Sequence, residues 1–553
     1  MSNLSDITST LKSERTTATP STDILLNGLL RSERDSWHFY IAMSCLCLLN
    51  LVAAWDATSL PITLLTITAA LKGTALQAFW LGISFLIPAA VLQPFYGSLS
   101  AIFGRKPIIL VALIFFSAGA VLCAVSNSFT AMIFGRSIQG IGAGGIYALS
   151  NIIVTDIAPN EERSKCLATI GAMWAIGGIT GPILGGALAQ NGHWRWIFWI
   201  NLPFGGTIAV VIAAFLHLQS EDGNMLGKMK KVDWLGCFLL TGSLTSLLIA
   251  VTWGGIVGPR NTWRTMLPVE IGLVGFMFFL IWTWFNPGEN YIALNWSTSP
   301  TSICAYFGTM VHGMVLWSAL YLMPLYFQAT RKQSPLEVGI SLLPWLSIVG
   351  LFALAAAVFV NRTYQYCPAI WLGWALSTFG IALFILFTRS TPASTWAGLS
   401  ILSGIGLGIL APALALTCQA PYRSKEIPTA IGLHSFFHGL GRVLGVAVGS
   451  AVFQKELLRN MLQQPDIERS ALDFTQNAVG LVKTIQKISG GDDTLKFILM
   501  NTYVHSLRTV WIVMAACAGA ASLLGLICTR AYPPQRETGR SKAINTKTFD
   551  EER

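Results

Sequence analysis

Apolar positions along this chain come in long blocks separated by short polar breaks, and the blocks have the length needed to cross a bilayer. Six runs able to span a hydrocarbon core of about 30 Å occupy 41–65, 79–99, 107–125, 131–153, 167–189 and 196–216. A polar stretch at 217–231 interrupts the series, and a pair follows at 234–253 and 266–284. Six more lie at 303–325, 338–360, 369–387, 396–416, 430–453 and 511–527. The order six, two, six predicts an all-α multi-pass membrane protein with fourteen transmembrane helices. It divides the chain into a disordered N-terminus (1–38), a six-helix bundle (39–216), a linker with an extra helix pair (217–300), a second six-helix bundle (301–529) with an outer loop at 454–508, and a tail (530–553).

Composition supports this reading. Hydrophobic residues make up 53% of the chain and charged residues only 11%, whereas a water-soluble surface needs about a quarter charged. The formal charge of +10 is spread over short tracts between apolar runs, which are topology signals rather than a nucleic-acid patch. With the N-terminus cytoplasmic, one face collects Arg31, Arg34, Arg105, Lys106, Arg163, Lys165, Lys228, Lys230, Lys231, Arg423, Lys425 and the tail from Arg530. The opposite short loops carry fewer, so both termini are expected in the cytoplasm. The cysteines are scattered singly, which argues against a disulfide framework. No small-residue cleavage site lies near the start, so the first span is expected to direct insertion itself.

Glycines recur every fourth residue at 177, 181 and 185, and again at 441, 445 and 449, placing each set on one helix face open to a neighbouring backbone. Pro182 falls inside the first stripe and should bend that helix. Tight packing and rocking of one bundle on another are both compatible with the pattern.

Ionisable groups inside apolar runs are costly, and they are the candidate sites. Asp56 lies in the first span, Arg136 with Gln139 in the fourth, His312 in the ninth, and His434, His438 and Arg442 in the thirteenth. At a rise of about 1.5 Å per residue, Asp56 lies roughly 22 Å along its span from Ile41, and Arg136 about 8 Å below the outer end of its own. The two therefore share a level, where they can pair or compete across a central cavity. Alternatively Arg136 satisfies backbone carbonyls and Asp56 begins an Asx bend before Pro61. His434, His438 and Arg442 share one helix face. No carboxylate or thiolate accompanies the histidines and Arg442 would repel a cation, so no metal site is expected there. Polar packing and proton sensing remain as readings of the pair. His312 suits either a relay or substrate bond, or a simple interhelical hydrogen bond. Trp174, Trp317, Tyr321 and Tyr326 are packing or belt residues, or walls of an apolar pocket.

Several motifs carry a resemblance to a known family. Residues Gly97 to Pro107, GSLSAIFGRKP, resemble the signature loop of the major facilitator superfamily, with Gly97, Gly104, Arg105 and Lys106 as its gating residues. The stretch from Gly135, GRSIQGIG, resembles the fourth-helix motif with its buried arginine. That from Gly177, GGITGPILGG, looks like the fifth-helix antiporter motif, with Gly177, Gly181, Pro182, Gly185 and Gly186 as its residues. Trp194 to Pro203, WRWIFWINLP, is similar to the sixth-helix entry of the fourteen-span drug:proton antiporter branch, and Trp55 to Pro61 with Gly73 to Trp80 resembles fungal exporters of toxins, drugs and secondary metabolites. The resemblance implies two pseudo-symmetric six-helix bundles, an extra central pair, and alternating access driven by inward proton flow. It makes Asp56 and Arg136 the coupling and cavity residues. Two departures stand out: Ala101 replaces the acidic residue usual in the signature loop, and His438 stands where fungal relatives tend to carry arginine.

The function expected is proton-coupled export of an amphipathic organic compound across the plasma or vacuolar membrane. It needs no cofactor beyond the proton gradient, and its partners are a small-molecule substrate, protons and the lipid bilayer. Nothing calls for nucleic acid or an obligate protein partner. An uptake permease, for instance for siderophores, would share the fold, and a transporter-like sensor would be expected to bear a long signalling tail. No nucleophile, base and oxyanion group cluster at one depth and no phosphate-binding loop appears, so no enzyme is expected.

Overall fold

The computed structural model describes residues 20–159, 162–216, 224–253, 263–286, 300–363, 365–422, 427–464, 482, 485 and 493–528. Within lipid every backbone N–H and C=O needs an internal partner, and continuous helices supply it within one segment. The first bundle comprises α1 (Pro20–Ala70), α2 (Ala75–Val91), α3 (Gln93–Phe103), α4 (Arg105–Val125), α5 (Phe129–Ile157), α6 (Arg163–Gln190), α7 (Trp196–Trp199) and α8 (Asn201–Phe215). A short α9 (Met225–Lys230) leads to the extra pair α10 (Trp234–Trp253) and α11 (Trp263–Phe285). The second bundle is α12 (Pro300–Arg331), α13 (Pro335–Thr363), α14 (Tyr366–Ala382), α15 (Ala393–Gln419), α16 (Ile427–Leu462) and α17 (Asp493–Cys528).

Thirteen of these helices are long and apolar enough to cross a membrane, and α2 with α3 makes a fourteenth span bent by 42°. The bend has a local cause. Pro94, at the start of α3, has no N–H with which to continue the ladder. On the other side of the bundle, Thr74 and Gln77 form a reciprocal capping box that starts α2.

Three segments depart from the sequence reading. Helix α1 begins at Pro20, inside the stretch expected to be disordered. The Leu25, Leu26, Leu29 and Leu30 spacing suits a helix. At the far end, α16 continues to Leu462 and α17 starts at Asp493, so the expected outer loop at 454–508 is helical at both ends. Apolar runs end where lipid ends, but backbone hydrogen bonds can carry a helix on into the polar zone. The tail 530–553, the cluster Arg423 to Lys425 and most of the linker between the extra pair and the second bundle lie outside the described residues.

The two bundles pack by the same rule. In the first, α1 lies against α6; in the second, α12 lies against α16. Both contacts are made by the glycine stripes. A Cβ on Gly177 would meet Ala54 Cβ at 2.6 Å, and one on Gly185 would meet Ser59 O at 2.7 Å. Gly441 and Gly445 sit in the same way on the carbonyls of Met310 and Met314. Hydrogen bonds tie α1 to α6 as well: Trp55 Nε1 donates to Thr180 Oγ1 (2.7 Å) and Ser59 Oγ to Gly181 O (2.9 Å).

Between bundles, α6 meets α13 and α2 meets α16, while α10 docks on the α2/α16 side. Helices α6 and α13 close on each other at the end of the bundle remote from Arg105, Arg163 and Lys165. There a Cβ on Gly339 would lie 2.6 Å from Pro182 O, and one on Gly186 would lie 2.5 Å from Pro335 O. Gln328 Nε2 reaches Ile62 O across the same end at 3.3 Å. No side chain larger than hydrogen fits at these crossings, so the far end is sealed by backbone against backbone.

Candidate functional site: a sealed ion pair and an open cavity

Three helices build the polar centre of the first bundle. Helix α1 carries Asp56, α5 carries Arg136 and Gln139 one turn apart, and α8 opens on Asn201. Arg136 Nη1 lies 2.7 Å from Asp56 Oδ2 and donates also to Gln139 Oε1 at 2.7 Å. Asp56 Oδ1 accepts from Gln139 Nε2 (2.8 Å) and Asn201 Nδ2 (2.9 Å). The guanidinium carbon stands 4.1 Å from the centre of the Phe85 ring and 5.8 Å from that of Phe198. All four polar side chains are fully buried, and Asp56 is the buried carboxylate among the described residues. Neither charge is tolerable alone in this medium; paired and hydrogen-bonded, they are.

A cavity of about 350 Å³ lies elsewhere, between the bundles. Asn50 of α1, Tyr147 of α5 and Trp174 of α6 form one wall, and His434, His438 and Arg442 of α16 form another. Toward the end of the molecule marked by Arg163 and Lys165 it reaches Ser164, Asn361 and Gln419. From Ser164 to Trp174 along α6 is about 15 Å of rise, which sets its depth.

The expectation that Asp56 and Arg136 face each other across a cavity is corrected in one respect. They pair directly, and neither they nor Gln139 nor Asn201 borders the open space. Sequence depth fixes level but not direction. Asp56 is six residues past the cavity residue Asn50, which is about 9 Å further on and about 240° around the helix. The pair therefore lies on the sealed side of the cavity's inner end.

The histidines form a column. His434 Nδ1 is 3.2 Å from Thr309 Oγ1, and its ring stacks on His438 with centroids 6.3 Å apart. His438 in turn stacks on His312 at 5.5 Å. His312 Nε2 lies 3.0 Å from Leu407 O. A carbonyl can only accept, so that nitrogen carries the proton and the contact is an interhelical bond between α12 and α15. His312 does not border the cavity; His434 and His438 do. Of the aromatics, Trp174 lines the cavity, Trp317 and Tyr321 continue behind it, and Tyr326 donates to Thr388 O at 2.6 Å in a packing role.

Residues 46–305 match the family described as Major Facilitator Superfamily. Over 488 residues the chain is 40% identical to MFS transporter L2 of Phoma sp., covering 88% of this chain and 81% of that one. This chain belongs to the major facilitator superfamily. It is also 33% identical to the MFS-type efflux pump MMF1 of Mycosarcoma maydis, over 81% of this chain and 73% of that protein. With the MFS-type transporter of the acurin A biosynthesis cluster of Aspergillus aculeatus it shares 29% identity over 80% of each chain. Its fold matches that of a bacterial homologue of the human lysosomal transporter Spinster, solved inward-facing and unoccupied, with a TM-score of 0.61 and 16% identity over 90% of this chain and 99% of that one. Family and relatives alike indicate a transporter rather than an enzyme.

In this major facilitator chain the signature loop turns at Gly104, whose φ of +96° is open to glycine and rarely to other residues. Gly97 faces Ile152, its Cδ1 3.9 Å from where a Cβ would stand. Arg105 pairs with Asp156 at the end of α5 (3.0 Å) and donates to Ser100 Oγ (2.6 Å), with Lys106 half-buried beside it. Ala101 is exposed. The loop thus keeps a carboxylate partner for Arg105, supplied by α5 rather than by the loop.

Sequence reasoning did not single out Asn201, Asn50, Asn151 or Tyr147. Asn201 has a readable signal, since an amide within an apolar run is costly unless it meets another polar group. Asn50 carries the same signal in the first span. Tyr147 has none, because tyrosine is common in membrane helices whether or not it faces a cavity.

Proposed function

We propose that this transporter exports an amphipathic organic compound, such as a toxin, drug or secondary metabolite, from the cytoplasm in exchange for protons. Arg105, Arg163, Lys165, Lys228, Lys230 and Lys231 cluster at one end of the bundles, and that end is cytoplasmic by the charge rule. The cavity mouth then opens inward and the glycine seal closes the outside. The observation that carries the reading is the buried Asp56–Arg136 pair on the sealed side of the cavity, where α1, which carries Asp56, packs on the α6 that closes against α13. Asp56 Oδ2 and Arg136 Nη1 lie 2.7 Å apart, the spacing of a charge-assisted hydrogen bond, and the proposed cycle makes and breaks this contact.

When the outer end opens, a proton reaching Asp56 neutralises it, and Arg136 loses its partner. Reclosure with Asp56 protonated and the cavity empty returns the protein inward, where proton release restores the pair. Protonation and cargo thus favour opposite states, which is the requirement for exchange. The names of the relatives, efflux pumps and a metabolite-cluster transporter, support the outward direction.

The test is accumulation of a panel of amphipathic fluorescent compounds in transporter-deficient cells expressing the chain, with and without a protonophore. Lower accumulation is expected for some members, abolished by the protonophore and absent in an Asp56→Asn variant present in the membrane in normal amounts. Higher accumulation would make the protein an importer and refute the proposal. A fluorescent tag on the vacuolar rather than the plasma membrane would place the same exchange there.

A further inference from the structure

Resting on the export reading, we propose that the cavity selects organic anions, with the acidic group of the cargo bound at Arg442 and a flat apolar body lying against Trp174. Two arginines are buried within the spans, and their surroundings differ. Arg136 is neutralised by Asp56. Arg442, only 6% exposed, has no carboxylate in ion-pair range among the described residues, and its Nε is buried without an acceptor. Its charge is met by three aromatic residues: the guanidinium carbon lies 4.8 Å from the ring centre of Tyr147, whose side chain also interacts with it electrostatically, 5.6 Å from that of Trp317 and 6.0 Å from that of Trp174. Aromatic groups offset a buried cation only in part, and Nε is left without an acceptor.

Arg442 borders the cavity, where the remaining polar groups are neutral amides, hydroxyls and the imidazoles of His434 and His438, and no aspartate or glutamate lines it. An unpaired cation in a space without acids attracts an anion, and a planar guanidinium accommodates the two oxygens of a carboxylate or sulfonate side by side. Around it Trp174 supplies apolar surface and Asn50 and Asn151 supply donors and acceptors, the mixture found in sites for drug-sized solutes. Tyr147 and Trp174 belong to the first bundle and Arg442 to the second, so an anion seated there touches both moving parts.

The probe pair is 1-pyrenebutyrate and its uncharged methyl ester, titrated by fluorescence anisotropy into the purified full-length chain. The acid is expected to bind about tenfold or more tighter than the ester. Arg442→Gln should remove that preference while leaving ester affinity within about twofold, and Arg442→Lys should restore part of it. Retained ester binding doubles as the folding control. Equal affinity of the parent for acid and ester, binding of neither, or equal loss of both in Arg442→Gln would overturn the proposal. If Arg442→Gln fails to fold, the acid-to-ester ratio of the parent decides alone. Binding to purified protein has neither direction nor driving force, so failed export in cells would sink the export reading and leave this ratio standing.

Discussion

Replacing Asp56 by asparagine keeps the size of the side chain and removes its charge, and the surrounding geometry sets the cost. The carboxylate accepts from Arg136, Gln139 and Asn201 at 2.7, 2.8 and 2.9 Å. An amide retains one acceptor oxygen, and its NH2 must face groups that are themselves donors. Arg136 is left charged, fully buried and without a counter-ion, a change that costs about 3–5 kcal/mol when one partner of a buried pair is removed. Arg136→Gln should cost a similar amount by stranding the carboxylate. The double variant Asp56→Asn/Arg136→Gln buries no charge, so its destabilisation should be smaller than the sum of the two singles by at least about 1–3 kcal/mol. Thermal unfolding of the purified variants, followed by intrinsic fluorescence at constant detergent and salt, measures all three against the parent. Strictly additive losses of the unfolding midpoint would show that the pair does not act as a unit. For transport, the double variant is the sharper probe: restored stability with no proton-driven export separates coupling from folding, whereas export that still responds to outside pH would remove Asp56 from the coupling step.

Two further outcomes follow from the packing. Gly339→Leu places a side chain against Pro182 O, where even a Cβ would stand at 2.6 Å, so it should force the outer seal apart; a cysteine introduced at Thr63, fully buried in the parent, should then become alkylated from outside, and continued protection would refute the seal. Asp156→Asn removes the charge opposite Arg105 while keeping one acceptor oxygen for it, and because this pair is partly exposed, stability should fall by no more than about 1 kcal/mol. Export rate measured on the same variant should fall more than stability does, and an unchanged rate would mean that the pair has no part in gating.

Much of the architecture is legible in the sequence because lipid imposes a simple rule on length and polarity. The six, two, six order and the shared level of Asp56 and Arg136 both follow from it. Direction around a helix axis is harder to read. Nothing in the spacing tells that Asn50 faces the cavity while Asp56, on the same helix, faces α5 and α8. Asn201 lies 145 residues from Asp56, and nothing in the spacing tells that its amide reaches that carboxylate. Arg442 was legible as a buried cation, but not as one lacking a carboxylate, because that depends on Tyr147, Trp174 and Trp317 arriving from three other helices. The helix ends beyond the membrane are not legible for a different reason: hydropathy marks where lipid stops, whereas helices stop where hydrogen-bond partners run out.

Helix α10 docks beside α2 and α16 with α11 packed on it, and among the described residues no such pair lies beside α6 and α13. The protein therefore has a shielded flank and a bare one. On the bare flank Ile176, Leu351 and Val358 are exposed, and the neighbouring turns of the same two helices line the cavity with the small residues Ala168, Gly171 and Ala357. A solute already dissolved among acyl chains meets that small-residue wall from one compass direction only. Traffic from the bilayer would then be sensitive to what crowds that side, whether a bulky sterol, a rigid lipid or a neighbouring protein, and indifferent to crowding on the other.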